Sequence, residues 1–130
     1  MPTLDHINIR TTKLAESIEF YGWLLGLEAG PRPGFEFDGA WLYAGGRVIV
    51  HLSCKDRSTV DTGAGAGPVG HVAFAVEDMG VIRRRLQRRG MAFSQHRLPD
   101  SDLVQIFVAD PNGLQIELSG PSAGEQVPGE

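Results

Sequence analysis

VIVHLS, Val48–Ser53, returns near the end of the chain as LQIELS, Leu114–Ser119. Both runs alternate in the way a half-buried β-strand does, and superimposing them sets His51 over Glu117 at an offset of 66 residues. A second pair of strands gives nearly the same offset. LDHINIR, Leu4–Arg10, lies over VGHVAFAV, Val69–Val76, with His6 above His71 at an offset of 65. Agreement at both the first and the last strand of each half marks an internal duplication.

Working outward, each half reads β-α-β-β-β. After the first histidine strand comes TTKLAESIEFYGWLLGLE, Thr11–Glu28, where Leu14, Ile18, Tyr21 and Leu25 recur at helical spacing. Thr11 or Thr12 is the expected cap and Gly26 the expected stop. FEF (Phe35–Phe37), AWLYA (Ala40–Ala44) and RVIVHLS (Arg47–Ser53) then read as three strands divided by DG and GG turns. In the second half EDMGVIRRRLQRRG, Glu77–Gly90, reads as a helix. MAFSQHR, DLVQIFVA and LQIELS follow as strands, the last two joined by the DPNG turn at Asp110–Gly113. The expected class is α+β. A single domain over 1–120 is built from module one (4–53), a Gly/Ser/Asp-rich linker (54–69) and module two (70–119), with 121–130 a disordered tail.

Composition narrows the function classes. The 130 residues are 42% hydrophobic and 22% charged, as in a globular protein. A net charge of −4 argues against nucleic acid or an anionic membrane as partner. The arginine cluster RRRLQRR, Arg83–Arg89, reads as a solvated helix face. One cysteine, Cys54, precludes an intramolecular disulfide and reads as a bystander in a reducing compartment. With no leader and no apolar run of membrane-spanning length, the expected location is cytoplasmic.

Strand parity separates two faces. Ile7, Ile9, Val48, Val50 and Leu52 of module one, and Val72, Phe74, Ile116 and Leu118 of module two, belong to faces that a helix must cover. The opposite faces carry His6, His51, His71 and Glu117, accompanied by Asn8, Arg10, Gln105 and Gln115. By the same parity Trp41, Tyr43 and Phe107 are placed either to line a pocket there or to serve as packing residues. Any one histidine on a strand is more often structural. Imidazole and carboxylate at equivalent positions of a repeat are instead the donors a borderline divalent metal accepts. His96, Asp5 and Glu36 are read as ordinary surface residues.

These motifs, from LDHINIR and SIEFYGWLLGLE through GHVAFAV to DPNGLQIEL, resemble the vicinal oxygen chelate superfamily over nearly the whole chain. That superfamily includes glyoxalase I, extradiol dioxygenases, fosfomycin-resistance transferases and bleomycin-resistance proteins. The resemblance implies paired βαβββ modules around a metal-binding cup. It also implies a homodimer whose sites are built from one chain or shared between two, and a small-molecule substrate. One divalent metal (nickel, zinc, cobalt, manganese or iron) is implied per site, with His6, His51, His71 and Glu117 at the ligand positions.

Position 51 departs from the relatives, where glyoxalase I has a glutamate. Three readings follow. With His51 as fourth ligand, the chain is a glyoxalase-like lyase or isomerase acting through a metal-stabilised enediolate, with Glu117 and His51 as catalytic groups. Arg10 favours this reading by its place, and Lys55 disfavours glutathione because an asparagine is expected there. With His51 beside the metal, His6, His71 and Glu117 form the iron site of an extradiol-type dioxygenase. The third reading is a non-catalytic drug-binding module, which the four retained donors disfavour.

Overall fold

The computed structural model describes residues 1–54 and 68–122. The expected linker and tail fall largely on residues outside these ranges. Contacts divide the chain into two units, Met1–Thr62 and Gly63–Glu130, and each contains one βαβββ module.

In unit one, β1 (Ile7–Arg10) leads into α1 (Leu14–Leu25), followed by β2 (Glu28–Gly30), β3 (Gly39–Ala44) and β4 (Arg47–Ser53). The sheet order is β1-β4-β3-β2. β1 runs parallel to β4, a pairing that requires the intervening crossover, while β3 pairs antiparallel with both neighbours. Unit two repeats the plan with β5 (Val72–Ala75), α2 (Met79–Arg88), β6 (Ser94–Arg97), β7 (Leu103–Ala109) and β8 (Gln115–Pro121). Its order, β5-β8-β7-β6, is the same. The repeat inferred from VIVHLS and LQIELS is therefore a repeat of folding units.

The cores follow the parity rule. Ile9, Leu42, Val50 and Leu52 are buried with Phe20, Tyr21 and Leu24 of α1, and Val104, Ile106, Ile116 and Leu118 are buried with Met79, Ile82 and Leu86 of α2. Each such side chain contributes about 1.5–3 kcal/mol by leaving water.

Four local expectations need correction. The second strand of module one is Glu28–Gly30, not Phe35–Phe37. Gly30 admits the Tyr43 ring where a Cβ would stand 2.8 Å from it, so β2 forms through its partner rather than through its own propensity. Phe35 and Phe37 instead stack on each other in the following loop, with the Arg32 guanidinium over both rings.

The cap of α1 is Lys13 and makes no side-chain cap bond; Thr11 Oγ1 accepts from the Lys13 N–H just outside the helix. The buried stripe of α1 is Ser17, Phe20, Tyr21 and Leu24, rotated from the predicted one but sharing Tyr21. Finally, Arg83 does not belong to a solvated face. It is buried and its Nε donates to Gln95 Oε1 at 3.0 Å.

Gly26 ends α1 as expected, at φ 73° with its N–H on Gly22 O. Asp78 caps α2 by accepting from Val81 N–H. β8 continues through Pro121, and Ser122 Oγ donates to Asp102.

Candidate metal centre

In unit one the face away from α1 is organised around His51. β4 lies between β1 and β3, and Cα pairing sets Asn8 on one side of His51 and Trp41 on the other. His6 stands immediately before β1, and its contact with His51 places it on this face. Its ring stacks on His51 at 3.8 Å and 15°, and Trp41 stacks on His51 at 4.3 Å and 10°. The result is a layered column, Trp41–His51–His6.

Burial, and then the proximity of His6, hold the His51 imidazole below its ordinary value of 6.5, against an opposing pull from Asp5. The ring is therefore neutral at neutral pH. Its Nε2 is buried with no hydrogen-bond partner among the described residues. Such an atom costs about 1–3 kcal/mol, a penalty that an electrophilic ligand removes.

Unit two repeats the register with different side chains. β8 lies between β5 and β7, with Ala73 on one side of Glu117 and Phe107 on the other. His71, two residues before Ala73, brings Nε2 within 3.1 Å of Glu117 Oε1. Gln105 Nε2 donates to Glu117 Oε2 at 3.2 Å. Glu117 is only 7% exposed, and having both oxygens engaged is what makes its burial tolerable. Phe107 meets the His71 ring edge-on at 5.8 Å.

The two units thus present the same three-strand motif: an aromatic (Trp41 or Phe107), a central donor (His51 or Glu117), and a histidine (His6 or His71). The donors, neutral imidazoles and a carboxylate, suit a borderline divalent metal. Among the described residues, no group of three or more His, Cys, Asp or Glu side chains is placed to hold a metal ion. Each unit brings its own pair together.

The remaining candidates divide. Asn8 and Arg10 occupy exposed positions of β1 on the His51 face. Gln105 is tied to Glu117, while Gln115 and Phe107 border an open cleft of about 430 Å³ in unit two that Phe93, Ser94 and Ala109 also line. Tyr43 keeps the face of Trp41, because β2 pairs with β3 without interruption from Trp41 to Tyr43. The slip at Leu42/Tyr43 belongs to β4, where Ile49 is the extra residue and Tyr43 comes to lie opposite Val48. Its ring lies against Gly30 and its hydroxyl donates to Pro31 O at 2.5 Å. Trp41 is the aromatic that meets a site histidine here.

Sequence reasoning passed over two residues. His96 pairs with Gln105 and so shares the Glu117 face, with its ring 5.9 Å from Phe107. Fixing the frame of β6 by its Ser94–Phe107 pairing is the signal that finds it. Asp5 Oδ2 accepts from His6 Nδ1 at 2.8 Å. That bond, above the smaller effects of nearby charges, holds the Asp5 carboxyl below its ordinary value.

Comparison with known proteins agrees with this architecture. The family described as the Glyoxalase/Bleomycin resistance protein/Dioxygenase superfamily matches residues 3–118. The chain belongs to this superfamily. A curated relative, "Glyoxylase I 4" of Arabidopsis thaliana, is 28% identical over 98% of this chain and 76% of its own length. Two solved members of similar fold are the glyoxylase/bleomycin resistance protein/dioxygenase domain from Frankia sp. and the trypanothione-dependent glyoxalase I of Leishmania major. The first has a TM-score of 0.76 at 21% identity, covering 93% of this chain and 98% of that one. The second has a TM-score of 0.68 at 22% identity, covering 95% and 89%. No helix among the described residues is long and apolar enough to cross a membrane.

Proposed function

We propose that this member of the superfamily is a divalent-metal-dependent enzyme, a glyoxalase-like lyase or isomerase acting on a small molecule with vicinal oxygens. The observation that carries the reading is the matched register. His51 faces Asn8 and Glu117 faces Ala73, each with a histidine two residues earlier, just before the parallel strand begins. His6, His51, His71 and Glu117 would hold the metal, in a cytoplasmic homodimer. When bound, the metal supplies Lewis-acid polarisation of substrate oxygens.

The chain's own groups do the rest. The Glu117 carboxylate, kept in place by Gln105 at Oε2, would accept and return a proton at Oε1, the oxygen beside His71 Nε2. Asn8, Arg10, Trp41, Gln105, Phe107 and Gln115 contact the substrate, and Tyr43 shapes the margin of that surface. The Arabidopsis relative named "Glyoxylase I 4" supports this chemistry over others.

The stack favours a second reading. Rings lying face to face direct their in-plane lone pairs side by side, not toward a common point. While His6 and His51 remain stacked, only one of them ligates. The metal set is then His6, His71 and Glu117, with His51 beside it, as in an extradiol-type dioxygenase. Anaerobic purification, metal analysis and oxygen uptake with catechols separate the two. Bound nickel, zinc or cobalt without uptake supports the lyase, and iron(II) with catechol-dependent uptake replaces it with the dioxygenase. A chain that takes up no divalent ion defeats both.

A further inference from the structure

Asp5 and His6 are chain neighbours, and neighbours in a regular strand point to opposite faces. They meet because β1 does not begin until Ile7. The segment before it is fastened separately: Arg47, the first residue of β4, donates to the carbonyls of Leu4 and Asp5 at 3.0 and 3.1 Å. The Asp5 carboxylate then reaches His6 Nδ1 at 2.8 Å. The His6 ring is thereby constrained twice, at one nitrogen by Asp5 and over one face by the His51 ring at 3.8 Å.

We infer that Asp5 is a positioning residue that fixes His6 as the Nδ1–H tautomer and leaves Nε2 as the nitrogen offered to the metal. An ionised carboxylate only accepts, so the shared proton resides on Nδ1 and the lone pair is at Nε2. A carboxylate behind a ligating imidazole raises its basicity and fixes its ring plane, an effect typically worth 10–100-fold in metal affinity. This rests on the metal reading proposed above. Module two has no counterpart. The position before His71 is Gly70, and His71 directs Nε2 to Glu117 instead. The duplicated half-sites therefore differ in how their histidines are prepared, and His71 serves as a control inside the same molecule.

The test compares the metal-free wild type with Asp5→Ala and Asp5→Asn by long-range proton–nitrogen NMR of the imidazoles at pH 8. Calorimetric titration with zinc or cobalt follows. The expected wild-type pattern is a protonated Nδ1 on His6. Asp5→Ala moves His6 toward Nε2–H and weakens metal binding about 10–100-fold, with His71 unmoved. Asp5→Asn, whose side-chain oxygen still accepts from Nδ1–H, retains the tautomer and recovers part of the affinity. A His6 tautomer that is Nε2–H in the wild type, or that does not respond to Asp5→Ala, overturns the assignment. So does a tautomer switch beside unchanged metal affinity. Absence of metal binding in the wild type overturns the metal reading and the role of Nε2 with it, while the NMR arm still decides whether Asp5 sets the tautomer.

Discussion

Replacing Glu117 with Gln changes one oxygen to an amide nitrogen and little else in shape. In the metal-free protein Glu117 accepts from Gln105 at 3.2 Å and lies 3.1 Å from His71 Nε2, while only 7% exposed. Losing charge assistance costs about 1–2 kcal/mol, taking charged hydrogen bonds at about 1.5–3 and neutral ones near 1. Relief of burying a charge offsets part of this, so the expected net change without metal is about 1 kcal/mol or less. The metal-linked change is larger. At a free metal concentration 100-fold above Kd, binding stabilises the wild-type fold by about 2.7 kcal/mol. For a chain of this size that is a rise in Tm of roughly 10 °C. Without the anionic donor the rise should vanish. Thermal unfolding of both proteins, with and without zinc, measures the two terms separately. A metal-induced rise in Glu117→Gln equal to that of the wild type would refute the placement of Glu117 in the metal set.

Other expectations follow from the same contacts. Because His51 titrates below 6.5 in the folded chain, the unfolded chain binds the extra proton first. Metal-free stability should therefore fall as pH drops below about 6.5, with the loss complete once the folded pKa is passed, and His51→Gln should flatten that slope in pH-dependent denaturation. Trp41→Ala uncovers His51, so the His51 imidazole, followed by proton NMR, should titrate closer to 6.5 than in the wild type. A Cβ on Gly39 would meet the Leu52 carbonyl oxygen and one on Gly120 the Val76 carbonyl oxygen, whereas Gly34 has open space around it. Gly39→Ala and Gly120→Ala should each destabilise by about 1–3 kcal/mol, and Gly34→Ala should be neutral or stabilising by about 0.4–1 kcal/mol, read from urea midpoints.

The duplication and the parity of the donor strands were legible because strand alternation is absolute: a residue displaced by one changes face. That alternation sets His51 and Glu117 opposite the buried faces of β4 and β8, while His6 and His71 stand just before β1 and β5. The errors arose where a partner, not the strand's own pattern, decides. Glu28–Gly30 contains no strong strand former and is a strand only because β3 pairs with it, while the alternating Phe35 and Phe37 satisfy their apolar surface on each other and on Arg32. The slip at Leu42/Tyr43 puts an extra residue, Ile49, into β4, so Val48 does not share the register of Val50 and Leu52 as strict alternation predicts. His96 was missed because its four-residue strand declares no frame until it pairs with β7. In the helices, the burial of Ser17 and Arg83 depends on the bonds each makes, Ser17 Oγ to Lys13 O and Arg83 Nε to Gln95, which helical spacing does not encode.

The parallel pairing in each module also bears on the order of folding. His6 and His71 stand at the entrance to the first strand of their modules, and His51 and Glu117 on the last; neither pair can meet until its first strand has docked against its last. That closure spans some 45 residues, whereas the contacts of the intervening helix and hairpin are mostly more local, so loop-closure entropy favours it as the last step. A half-site is thus a certificate of completed folding. Partly folded chains carry the same imidazoles and carboxylate but scattered, with no paired donors. The rate at which refolding protein gains a bound ion should accordingly report the last closure of the module rather than its collapse.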